Sequence, residues 1–240
     1  MATPLSKEQL KQQQQEQSRR QDNKQHCQKI LDGIDKFDDT TAERAIWELI
    51  QNARDLSECA KIRLSLTKEK LTFTHNGSPF DYESFTSLIK QISSAQKEEK
   101  DTVGQFGTGF MTTHKFSRII QISGSVKLDE EVYADIENFE LDRRPNDLQG
   151  MLEAMSRQLT FADELLNQET SANPKPETTF VYPLDEIRLA YAEKGIDMAF
   201  NLIPYVMAIN ERIDEIHLEN TISDKSILFS RGRGSVWMQL

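Results

Sequence analysis

From Ala42 to Ala53 the apolar residues Ala45, Ile46, Leu49, Ile50 and Ala53 recur at helical spacing, and a few residues later the spacing drops to two, with Ile62, Leu64 and Leu66 alternating with polar side chains. A helix buries a stripe, whereas a half-buried strand buries one face. A chain that changes period this quickly is built to lay a helix on a sheet. The change recurs downstream. Residues 70–74 read as the hairpin partner of 61–66, with Lys68 and Glu69 near the turn, and 75–79 as a loop. A short helix capped by Asp81 is expected over 81–92, and a further helix over 110–116. Strands follow at 119–126 and 132–136, then an irregular polar stretch at 137–150 and a partly helical one at 151–168. After a connection containing Pro174 and Pro176 comes a strand at 178–182. Two helices are expected at 184–194 and 198–210, the second capped by Asp197 or a neighbour and kinked at Pro204. Strands at 213–219 and 225–229 form a hairpin. Asp39 or Thr40 is the expected N-cap of the helix over 41–57. This order predicts an α+β fold, a two-layer sandwich with helices on one face of a mixed sheet.

Residues 5–36 differ in kind. They are rich in Gln, Lys and Glu, and predict a polar helix from 6 to 31 that Gly33 interrupts; a disordered start over 1–12 fits the same residues. The chain divides on this reading into a polar helical extension (1–36), a main domain (37–220) and the start of a following strand region or domain (221–240).

Composition narrows the partners. With 29 Lys plus Arg against 39 Asp plus Glu the net charge is −10, which repels a nucleic-acid backbone unless basic residues cluster. Arg143-Arg144 and Arg231-Gly232-Arg233 are too short to form such a cluster. No apolar run reaches the roughly 18 residues of a membrane span, and the N-terminus has no apolar core of a signal peptide. Cys27 and Cys59 form no disulfide framework. A reduced, cytoplasmic setting is the expectation.

Three segments carry chemistry. In Glu48-Leu49-Ile50-Gln51-Asn52-Ala53-Arg54-Asp55, Glu48 and Asn52 lie one helical turn apart on one face, and Asp55 three further on. The amide oxygen can bind a hard cation, and the carboxylate can orient and deprotonate a water. A solvated polar face on a core helix would show the same pattern. In Gly104-Gln105-Phe106-Gly107-Thr108-Gly109-Phe110 the glycines and a following helix N-terminus can present amides to phosphates. The spacing is neither that of a dinucleotide fingerprint nor that of a P-loop, and a tight structural turn would also use it. The third segment, Phe73-Thr74-His75-Asn76-Gly77, is a strand running into a turn, where a polar side chain can meet a base edge.

In order and spacing, the three together resemble the Bergerat fold of the GHKL superfamily, which includes the ninety-kilodalton heat-shock chaperone, type II topoisomerases, mismatch-repair ATPases and histidine kinases. Residues 48–55 resemble the family's N-box, E-L-x-x-N-A-x-D, and 104–110 the chaperone's G-x-F-G-x-G-F. His75-Asn76-Gly77-Ser78-Pro79 stands where the family has D-x-G-x-G, and Thr178-Thr179-Phe180 is similar to its late strand. The resemblance covers about residues 40–185 and leans toward the sacsin-like, chaperone-type branch. It implies ATP or ADP as ligand with Mg²⁺, Glu48 as general base and Asn52 as the metal ligand. Asp55 would support the adenine pocket. His75, Asn76, Gly77 and Thr178 would meet the base. Gly104, Gln105, Phe106, Gly107, Thr108, Gly109 and Phe110 would wrap the phosphates, beneath a mobile lid at 93–102. It further implies a cation supplied by a following domain or partner, with oligomers possible. Two departures stand out: His75 replaces the aspartate that accepts from the adenine amino group, and Pro79 replaces a glycine. A hydrolase driving conformational change, a nucleotide sensor with little turnover and a degenerate interaction domain all remain open.

Overall fold

The computed structural model describes residues 6–38, 40–91, 108–232 and 235–239. A long helix α1 (Lys7–Ile34) opens the chain, with Ser6 and Gln9 forming a reciprocal capping box. It turns only Cys27, Ile30 and Ile34 into the core, and the Cys27 thiol meets the Met155 thioether at 3.8 Å. Helix α2 (Thr41–Asp55) buries a continuous stripe from Thr41 through Ala53. Thr40 makes no side-chain cap. Instead the Asp38 carboxylate accepts from the Thr40 N–H and from the hydroxyls of Thr40 and Thr41; Asp39 lies outside the described residues.

Next come β1 (Ala60–Leu66), β2 (Lys70–His75), the two-residue β3 (Phe80–Asp81) and α3 (Tyr82–Lys90), whose Asp81 cap accepts from the Ser84 N–H at 2.6 Å. Beyond the undescribed stretch lie α4 (Thr108–Met111), a 3-10 turn (Thr112–Lys115), β4 (Ile119–Asp129), β5 (Val132–Asp142), α5 (Leu148–Leu165), β6 (Thr178–Pro183) and α6 (Glu186–Ile209). β7 (Ile213–Asn220), β8 (Lys225–Gly232) and β9 (Ser235–Gln239) complete the chain. The nine strands make one mixed sheet. β2 pairs antiparallel with β1 and β6, β1 pairs parallel with β7, and β4 pairs antiparallel with β5 and β6 and parallel with β3. β8 and β9 continue the sheet beyond β7, so the strand region expected from 221 onward hydrogen-bonds directly to the main body.

The α+β reading therefore holds, with helices packed on a mixed sheet. Ile62, Leu64, Phe73, Phe180 and Tyr182 are buried on the covered face, where Phe180 meets Phe110 at 5.8 Å and Phe116 meets Tyr182 edge-on. Burying each such ring contributes roughly 1.5–3 kcal/mol. Three local expectations are corrected. Gly33 does not interrupt the first helix, which runs through it to Ile34; a carbon added at 33 would meet the Met111 side chain at 3.6 Å. The helices expected at 184–194 and 198–210 are one helix, α6, running through Asp197 and Pro204. The stretch expected to be irregular from 137 continues β5 to Asp142.

Just past β5, Arg143 is wholly buried. Its guanidinium donates to the carbonyls of Leu88 and Ile89 in the last turn of α3, to the Asp142 carbonyl and to Gln158 of α5. Burial pushes its pKa down to about 10, which still leaves it charged.

Candidate functional site

Helix α2 brings Glu48, Asn52 and Asp55 along one half-buried seam beside its apolar stripe. At the Glu48 end the helix meets α4. A carbon added to Gly109 would lie 1.9 Å from Glu48 Oε2 and 2.3 Å from its carboxyl carbon, so the carboxylate rests directly on the glycine. A side chain at 109 could not coexist with Glu48 in this position. The only cation beside the carboxylate among the described residues is Arg44, at 3.4 Å and largely exposed. Such a pair contributes little. One turn along, Asn52 Nδ2 is buried without a hydrogen-bond partner among the described residues. A buried amide left unsatisfied costs about 1–3 kcal/mol. A 180° turn of the amide puts its oxygen there instead.

The other end lies where β2 runs into its turn. His75 is 2% exposed and faces the covered side of the sheet. There it stacks on Phe180 with centroids 6.0 Å apart and pairs across the ladder with Thr178 of β6, also buried. Its Nδ1 accepts from the Gly77 N–H at 3.0 Å. That bond decides the tautomer: Nδ1 carries the lone pair, so the ring hydrogen sits on Nε2. Burial pushes the His75 pKa down to about 4, which keeps the ring neutral near pH 7. Gly77 has no room for a side chain, because an added carbon would lie 2.6 Å from Leu56 Cβ and 2.9 Å from His75 Nδ1.

A cavity of about 700 Å³ opens beside this turn, lined by Asp55, His75, Asn76, Gly77 and Thr178 among others. Its size suits a nucleoside. Not every expected residue is free to act there. Asn76 accepts from the Lys61 N–H and donates to the Cys59 carbonyl, so its amide closes the end of β1. Asp55 is held by Arg54 at 2.7 Å. Phe110 is fully buried against Phe180, and so fixes the end of the glycine segment to the core rather than meeting a ligand. Gly104, Gln105, Phe106, Gly107 and the expected lid at 93–102 lie outside the described residues, as does the Thr108 side chain. The far rim adds Lys127, Tyr133 and Lys175, which nothing in their local sequence singled out; the β4–β5 pairing brings in Lys127 and Tyr133, and the Lys175 N–H is tied to the Ser125 hydroxyl.

Among the described residues no three His, Cys, Asp or Glu side chains gather as a metal cluster, and no helix is long and apolar enough to cross a membrane. No family model matches the chain, and no curated protein matches it. Solved structures do. The N-terminal domain of a DNA repair protein aligns at 16% identity and a TM-score of 0.44, over 80% of this chain and 52% of that one. The B-subunit of the DNA gyrase from Myxococcus xanthus aligns at 8% identity and a TM-score of 0.47, over 78% of this chain and 49% of that one. The chain thus spans about half the length of either.

Proposed function

We propose that this chain is a GHKL-type nucleotide-binding module that takes a nucleoside triphosphate, ATP in the family it resembles, with Mg²⁺ and hydrolyses it. The observation that carries the reading is the seating of the Glu48 carboxylate on Gly109, with the orphaned Asn52 amide one turn away. Glu48 and Gly109, which belong to two separate motifs, meet there.

Asn52 fits the role of sole protein ligand. Magnesium keeps several waters and binds through one or two protein oxygens plus substrate phosphates. When bound, the ion would neutralise charge across the phosphates. Glu48 would accept a proton from the attacking water as the bond to the terminal phosphate breaks. The glycines from 104 to 109 would offer backbone amides to the phosphates, and Thr178 and His75 would flank the base. The nucleotide-binding unit on this reading is 37–220. A cation from a following domain or a partner would complete the charge stabilisation of the transition state.

The test is a thermal-shift and calorimetric titration with ATP and ADP, with and without Mg²⁺. Binding strengthened by Mg²⁺ in the native protein, and no longer so in Asn52→Ala, supports the module. No binding at millimolar Mg-ATP overturns it in favour of a protein-interaction domain.

A further inference from the structure

The turn after β2 does more than place a histidine at the cavity. Nδ1 of His75 is consumed inside the turn by the Gly77 N–H. Gly77 is itself clamped between that ring and Leu56, and Phe73 and Phe180 flank the ring on the covered face of the sheet. The imidazole therefore cannot exchange its two nitrogens without breaking the turn. No hydrogen bond to Nε2 is present among the described residues. His75 lines the cavity, so the group it offers a ligand is an N–H donor. An aspartate in the same place would offer an acceptor.

We propose that His75 makes this site select a purine bearing an acceptor, a 6-oxo group, at the position where an aspartate would select the 6-amino group of adenine. The inference rests on the nucleotide-site reading above and sharpens it to a class of base. With a 6-oxo purine, the Nε2–H donates to the oxygen. With adenine, two donors face each other and one of them is buried without a partner. The Asn76 amide is held in place by the Lys61 N–H and the Cys59 carbonyl.

Inosine and adenosine triphosphates differ at this edge and share the ribose and phosphates, which makes them the probes. Calorimetry at pH 7.5 with Mg²⁺ on the 240-residue chain is expected to show inosine triphosphate bound roughly 5- to 150-fold more tightly, the range set by one unsatisfied buried polar group. Two isosteric variants isolate the cause. In His75→Asp one carboxylate oxygen accepts from the Gly77 N–H and the other faces the cavity as an acceptor, so the preference reverses toward ATP. In His75→Asn the carbonyl accepts from Gly77 and the NH₂ donates, so the inosine preference stays. A native protein that prefers ATP, or binds the two within twofold, overturns the inference and leaves the nucleotide site standing. So does an inosine preference that survives in His75→Asp. If neither triphosphate binds, the nucleotide reading fails and the inference falls with it. The native comparison decides even if a variant does not fold.

Discussion

At the α2 end of the site the polar groups have few partners among the described residues: Glu48 has one long contact to an exposed arginine, and the Asn52 amide has an unmatched buried atom. At the β2 end nearly every polar group is spent on the protein itself, Asn76 on β1, Asp55 on Arg54 and His75 Nδ1 on Gly77. The first end keeps the residue types its motif calls for. The second is arranged as a rigid wall with one donor showing, and it is where the motif departs. Of the two, only the β2 end and Asp55 line the cavity; Glu48, Asn52 and Gly109 are not among its lining residues.

The sharpest way to break the contrast is at Glu48. Glu48→Ala removes the candidate base but neither Asn52 nor the glycine backbone, so turnover is expected to fall about 10²- to 10⁴-fold while the dissociation constant for Mg-nucleotide changes little. Steady-state hydrolysis alongside calorimetry reads both, and unchanged turnover would remove Glu48 from the chemistry.

The rigid wall should appear in acid. His75 is neutral when folded, with its pKa pushed to about 4, and takes a proton on unfolding near its ordinary value of about 6.5. The unfolded chain then binds more protons, so stability is lost as pH falls from 6.5 toward 4 and levels off below. At pH 5 the loss from His75 is about 2 kcal/mol. His114, buried and pushed down to about 3 by burial first and then by Arg143, acts in the same direction. Urea melts at pH 7.5 and pH 5 measure the sum, and His75→Asn should shrink the difference.

The smallest effect tests the committed amide. Asn76→Ala removes two hydrogen bonds to β1 and is expected to cost about 1–2 kcal/mol of stability. The ratio of nucleotide affinities should not change. A shifted ratio in competition titrations would mean that Asn76 reads the base after all.

The sequence carried most of the fold because the buried stripes of α2 and β1 follow their periods without a break. It failed where a residue's reason lay elsewhere in space. Gly195 and Asp197 look like a boundary between two helices. In fact an added carbon at 195 would lie 3.0 Å from Ile46 and 3.2 Å from the Ala42 carbonyl, so the glycine lets α6 cross α2 closely and the helix continues. Past Ile136 the alternation slips because Asn138 sits at φ 51° in a bulge between the Ile122–Phe139 and Gly124–Ile136 pairs. The residues of the proposed site were read from three spaced motifs. The uses of Asn76 and of the two nitrogens of His75 were not legible, since each depends on a hydrogen-bond partner rather than on residue type.

Arg143 gives the corner behind α3 a collective character. Its acceptors belong to α3, α5 and the end of β5, and none can withdraw without stranding a buried cation, at a cost of several kcal/mol. The last turn of α3 is therefore not free to fray as helix ends usually do. Its amides should exchange with solvent only in the rarer events that also open α5, and the three elements behave as one cooperative unit pinned by a single side chain.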